Sequence, residues 1–188
     1  MNSEKILMQI NSNPVIAAVR SGDELSDALS TSVKVIFLLN SSLLSLASDI
    51  EKCKQNDKIV LVHFDLVSGL GSDEEAVKYL STLLPDGIIS TRSNVLKIAK
   101  ELGLFTVQRF FIVDSRSCDT MRKSLNSFKA DMDEIMPGLL FGEIEKITTD
   151  TTTNVICGGL IEDKQTVIKL LSIGAMGVST SRRNLWEI

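Results

Sequence analysis

The chain reads as α/β, a (β/α)8 TIM-barrel-like single domain spanning residues 1–188. Eight short apolar runs rich in β-branched residues recur along it, and stretches with helical spacing separate them. The runs are apolar through their middles, as expected of parallel strands covered on both faces. Eight such units close naturally into a barrel, with a doubly wound open sheet as the structural rival. Because a barrel of this kind usually takes about 250 residues, the loops must be short and the last helix, around 184–188, stunted.

In order, the strands are predicted at Val15–Val19, Val33–Leu39, Ile59–Leu66, Gly87–Thr91, Phe105–Phe111, Asp133–Met136, Asn154–Cys157 and Gly177–Thr180. Helical spacing joins Leu43, Leu44, Ala47 and Ile50, then Val95, Leu96, Ile98 and Ala99, and later Val167, Ile168, Leu170 and Leu171. The stretches Ser72–Glu75 and Ser117–Thr120 carry residues that cap helix starts, while Gly103 and Gly174 stand where helices stop. The polar, β-prone run Thr148–Thr153 is read as a helix end and loop, and no linker or second domain is seen.

A net charge of −4 opposes a generic nucleic-acid binder, which displays a basic surface, so any RNA role must rest on a local patch. Three scattered cysteines, Cys53, Cys118 and Cys157, lack metal or redox spacing and read as buried thiols; no cofactor and no metal is expected. The start, Met1–Ile10, has no leader-like apolar core, and no run approaches the roughly 18 residues of a membrane helix. The expected location is the cytoplasm, without membrane contact, and a homo-oligomer is left open.

Two segments nearly recur: Gly87-Ile-Ile-Ser-Thr-Arg-Ser-Asn94 and, 177 − 87 = 90 positions on, Gly177-Val-Ser-Thr-Ser-Arg-Arg-Asn184. Each is a short strand ending in hydroxyls, arginine and asparagine, types that suit an anion where a strand becomes a helix. The loops after strands seven and eight are expected to hold phosphate through Gly158, Gly159, Ser179, Thr180 and Ser181, aided by a helix starting near Arg182. The plainer reading is a tight turn and a capped helix.

Arg20, Arg92 and Arg109 follow or interrupt apolar runs and need anionic company, either Asp65 and Glu134 or a bound ligand. His63 is the only histidine, a core residue that can also donate to a ligand hydroxyl. Phe110 and Phe111 read as strand packing before base stacking. Catalysis is not specified: Lys34 and Lys58 sit at strand starts, away from the reactive face, and Asp65, Glu134, Asp114 and His63 show no metal-ligand spacing.

Asn13–Arg20, Val62–Gly69, Gly87–Asn94, Gln108-Arg109, Met136–Gly138, Gly158-Gly159 and Ser179–Ser181 with Leu185-Trp186 resemble the glycerol uptake operon antiterminator family over nearly the whole chain. The resemblance implies a regulator, not an enzyme, that senses glycerol 3-phosphate and binds the leader mRNA of glycerol-metabolism operons so that transcription passes a terminator. It implies phosphate at Gly158, Gly159, Thr180 and Ser181, with Arg20, His63, Asp65, Arg92 and Arg109 around the glycerol part or the phosphate charge; Ser179 is grouped with the phosphate site, and Gln108 and Glu134 with the ligand site, by their place at strand ends. The alternative is a barrel enzyme acting on a phosphorylated metabolite. Two departures from the family pattern remove positive charge: Glu162 stands where an arginine is expected, and no basic tail follows Trp186. Both bear on RNA binding more than on the ligand site.

Overall fold

Valine and isoleucine fit a pleated surface buried on both faces, and they dominate β1 (Val15–Val19), β2 (Val35–Leu38), β3 (Ile59–His63) and β4 (Gly87–Ser90). The barrel continues through β5 (Phe105–Phe111), β6 (Met132–Met136), β7 (Asn154–Gly158) and β8 (Gly177–Thr180). The structure is a computed structural model and describes residues 3–188. Each strand pairs in parallel with its neighbour in sequence, and Val15 beside Val178 closes β1 onto β8. Closure rules out the open sheet. The second strand is shorter than its apolar run, and the Val33 carbonyl takes the Lys58 ammonium at 2.9 Å instead of joining the ladder. The third ends at His63 because Phe64–Leu66 winds into a 3-10 turn, which brings Asp65 against β4.

Helices α1 (Ser3–Ser12), α2 (Gly22–Ser30), α3 (Leu46–Gln55) and α4 (Glu74–Thr82) are followed by α5 (Ser93–Glu101), α6 (Ser115–Ser127), α7 (Phe141–Asp150) and α8 (Lys164–Ser172). The first expected cap falls inside its stretch, Ser72–Glu75, and the second falls on Asp114, just before Ser117–Thr120. Asp73 accepts the Ala76 N–H at 2.9 Å, and Asp114 accepts the Ser117 N–H at 2.8 Å. Ser117 is the third residue of α6, and its hydroxyl accepts the Asp114 N–H to complete a capping box. Gly103 and Gly174 adopt φ of +79° and +97° after α5 and α8, the left-handed conformation of a helix stop. In place of a last helix the chain makes a 3-10 turn over Arg183–Leu185.

Alternation along the strands divides two apolar layers. Ile16, Phe37, Leu61, Ile89, Val107 and Ile156 fill the barrel, whereas Ala17, Ile36, Val60, Ile88 and Val155 face the helices. Helix α1, not foreseen from the sequence, plugs the base of the barrel: Ile6 and Ile10, one turn apart, are fully buried in the inner cluster. Burying each stabilises the fold by about 1.5–3 kcal/mol. Met1 and Asn2, the start of the segment read for a leader, lie outside the described residues. Among the described residues no helix is long and apolar enough to cross a membrane. All three cysteines are buried, and burial pushes the Cys53 and Cys157 thiols up to about 12.

An outward-facing carboxylate breaks the apolar pattern on β6. Asp133 on β6 is 1% exposed, and neither carboxylate oxygen has a hydrogen-bond partner. Burial pushes its pKa up to about 6 from 3.8, although the Lys129 charge pulls the other way. A carboxyl whose folded pKa is raised favours folding most when protonated, and that stability is lost as pH rises through about 6. The loss amounts to roughly 3 kcal/mol. Asp133→Asn, neutral throughout, is therefore expected to melt several degrees above the wild type at pH 8, with the advantage shrinking toward pH 4 in thermal melts followed by circular dichroism.

Candidate functional site

The mouth of the barrel is organised around one buried carboxylate. Register sets Arg109 on β5 beside Glu134 on β6, and Gly158 on β7 beside Ser179 on β8. Arg109 Nε donates to Glu134 Oε2 at 2.6 Å, and Ser179 Oγ donates to Oε1 at 2.5 Å. Glu134 thus reaches across the whole of β7. Only glycine at 158 permits this: a Cβ there would stand 2.4 Å from Ser179 Oγ and 2.6 Å from Glu134 Oε1. Glu134 is fully buried and Arg109 is 5% exposed, so each neutralises a charge that would be costly to bury alone.

Beside this cluster lies a cavity of about 460 Å³, walled by Arg20, Arg109, Gly159, Ser179–Ser181, Glu162 and Arg182. Its cations are already spoken for. Arg20 pairs with Glu24 at 3.0 Å, Arg182 pairs with Glu162, and Arg109 gives its Nε to Glu134. The terminal nitrogens of Arg109 have no protein partner among the described residues. The hydroxyls are similarly committed: Ser179 to Glu134, and Thr180 to the Ile161 carbonyl at 3.0 Å while accepting the Arg182 N–H. Among the described residues, the Ser181 hydroxyl makes no hydrogen bond. The α8 N-terminus is capped by Asp163, which accepts the Thr166 N–H at 2.9 Å, and the last turn is only three residues long. Helix dipoles therefore add little for an anion here, and arginine side chains carry the attraction.

Of the other residues singled out from the sequence, Arg92 and Asp65 form a separate clamp between β3 and β4. Asp65 takes Arg92 Nε and Nη2 at 2.9 and 2.7 Å, the Thr91 N–H at 2.8 Å and the Ser90 hydroxyl at 2.9 Å. Burial alone would raise the Asp65 pKa, but the Thr91 N–H, Arg92 and Ser90 together hold it below the usual carboxylate value. The Arg92 guanidinium also covers the Phe64 ring, 5.6 Å from its centre. Gln108 faces out of the barrel, donating to Ser124 on α6 at 2.8 Å, since alternation puts Val107 and Arg109 inside. Thus the earlier of the two recurring segments is locked in its own ion pair, while the later one lines the cavity.

His63 sits inside the barrel, 3% exposed, with Nδ1 lacking any partner. Burial first, and the Arg109 charge second, push its pKa down to about 4. It is neutral at pH 7, with a ring nitrogen open to a hydrogen bond. Glu24, Glu162 and Arg182, not singled out as a set from the sequence, emerge as the partners that neutralise the cavity wall. A carboxylate four residues after Arg20, on the first turn of a helix, was the available signal for Glu24. Among the described residues no group of three metal-ligating side chains comes together.

Fold and site together define a (β/α)8 barrel with arginines gathered around a cavity at its mouth. Residues 15–186 match the glycerol-3-phosphate responsive antiterminator family, and the chain belongs to that family. It is similar to the crystal structure of a glycerol uptake operon antiterminator regulatory protein from Listeria monocytogenes, with 32% identity and a TM-score of 0.89 over 92% of this chain and 94% of that one. A glycerol uptake operon antiterminator-related protein from Thermotoga maritima has 30% identity and a TM-score of 0.84, covering 94% and 99%. An uncharacterized Escherichia coli protein, YgcP, is 30% identical over 97% of this chain and 96% of its own length. The family is regulatory; an aldolase at 13% identity and a TM-score of 0.71 shares the fold alone.

The buried cluster is expected to be the most sensitive part of the mouth. Glu134→Gln leaves the Arg109 charge uncompensated and should cost about 3–5 kcal/mol. Gly158→Ala, which wedges a methyl into the Glu134–Ser179 bond, should cost about 1–3 kcal/mol. Urea unfolding of the two variants beside the wild type measures both.

Proposed function

We propose that the chain senses glycerol 3-phosphate at the cavity of the barrel mouth and binds the leader mRNA of glycerol-metabolism operons in the cytoplasm, allowing transcription past a terminator. The observation that carries the ligand half is the cavity wall, where Arg20, Arg109 and Arg182 converge with the Ser181 hydroxyl and the Gly159 backbone. The phosphate sits among these arginines, displacing Glu24 and Glu162 from two of them. Both pairs are more than half exposed on the arginine side, and exposed pairs hold by only about 0–1 kcal/mol. Exchange for a dianionic phosphate is therefore cheap. His63, buried and neutral, offers a hydrogen bond toward the glycerol hydroxyls, and Glu134 orients Arg109 from behind.

Ligand that binds only the folded state at about 100 times its Kd stabilises that state by about 2.7 kcal/mol. For a chain of this size that corresponds to a rise in Tm of roughly 5–10 °C. Glycerol 3-phosphate is expected to produce this rise in differential scanning fluorimetry, with glycerol alone inert. Arg20→Ala and Ser181→Ala should lose most of it. Arg92→Ala, whose guanidinium serves the β3–β4 clamp, should melt lower yet keep its response; a lost response there would move the ligand to the far wall.

A further inference from the structure

Within the proposed antiterminator function, the location of the RNA face is open, and the distribution of charge in the fold answers it. At the mouth, the arginines Arg20, Arg92, Arg109, Arg182 and Arg183 are each held by a carboxylate, leaving little free positive charge for a polyanion. The base of the barrel is different. A cleft of about 300 Å³ opens there between α1, the start of β2 and the end of α3, framed by Lys5, Lys34, Lys54 and Lys58 against Asp57 and Asp86. Four lysines against two aspartates leave the cleft with a charge of 4 − 2 = +2.

Two of these four lysines are not accounted for by the protein itself. Lys54 pairs with Asp86 at 2.5 Å, but Lys5 and Lys34 are exposed and make no hydrogen bond or ion pair among the described residues. Lys58 is 8% exposed and spends its protons on the Thr31 and Val33 carbonyls at 2.6 and 2.9 Å. Its pKa is lowered, first by burial and then by the neighbouring Lys34 charge. Helix dipoles explain lysines only at helix C-termini. That covers Lys54, whereas Lys34 and Lys58 lie at strand starts and Lys5 in the first turn of α1, where a cation is disfavoured. Gln9, whose amide can both donate and accept, lines the same cleft.

We infer that the leader RNA docks at the base of the barrel, with its phosphate backbone in the cleft between Lys5, Lys34, Lys54 and Lys58, at the end opposite the ligand cavity. Phosphates supply the missing counterions, and each contact releases condensed cations from the RNA. The net charge of −4 is no obstacle, because the lysines that matter are gathered at one end.

The test uses the full chain, a terminator-bearing leader transcript and glycerol 3-phosphate, read by fluorescence anisotropy across a salt series. The double variant Lys5→Glu, Lys34→Glu is expected to bind at least ~10-fold more weakly than the wild type, with a salt slope shallower by about 0.7 for each phosphate no longer held. Lys5→Gln, Lys34→Gln should show a smaller loss in the same direction. In both, the glycerol 3-phosphate thermal shift should be unchanged, which certifies the fold and the ligand site. If the wild type binds and the lysine variants bind equally well, the base is not the RNA face. The base is ruled out likewise if Arg183→Glu at the mouth takes the loss instead. A wild type that fails to bind the transcript at any salt overturns the antiterminator reading and this inference together.

Discussion

The mouth of this barrel depends on one interaction, the reach of Glu134 from β6 across Gly158 to Ser179 on β8, with Arg109 held on its other side. Three strands, β5, β6 and β8, are tied through a single carboxylate that passes over β7, at the level where ligands meet a barrel. Removing a side chain from β7 is the condition for it. The glycine that sequence reasoning assigns to phosphate approach has its first explanation in this internal contact. Barrel construction and the proposed anion site therefore draw on the same residues, and Arg109 belongs to both.

The pairs around the cavity differ in strength by their exposure. Arg109–Glu134 is buried, and separating its partners costs about 3–5 kcal/mol, so no small ligand pulls it apart. Arg20–Glu24 and Arg182–Glu162 leave their guanidinium groups more than half exposed and cost less to exchange. The cavity thus has one fixed cation and two that can be recruited. Glu162 has a further effect, because it adds a negative charge to the wall in the unliganded state and lowers the attraction for anions that cannot displace it.

The barrel was legible because its signal is redundant: eight apolar runs, helical spacing between them and short loops all require the same parallel closure. The inward or outward direction of each polar residue was less legible, since it depends on strand register. Gln108 and Arg109 are adjacent in sequence, yet one bonds to α6 and the other lines the cavity. The pairings Arg92–Asp65 and Arg109–Glu134 were within reach because an unpaired cation in an apolar run needs a partner. Helix α1 was missed although Ile6 and Ile10 carry the spacing, because a single turn of apolar periodicity is a weak signal. The base cleft was half legible: Lys34 and Lys58 fall at strand starts on the face away from the mouth, but Lys5 joins them only when α1 folds under the barrel.

The two ends also differ in which cation they use, and the difference suits two kinds of anion. Guanidinium groups are planar and fork-shaped, matching a small phosphate that must be oriented in a cavity, and they tolerate desolvation beside Glu134. Ammonium groups are compact, strongly hydrated point charges, matched to a backbone of repeated phosphates that needs attraction without fixed orientation. Arginines ring the cavity at the mouth, and lysines frame the cleft at the base. With ligand and RNA at opposite ends, neither competes for the other's counterions. Any influence of one on the other must then be carried by the barrel, through a difference in how its two states bind each partner.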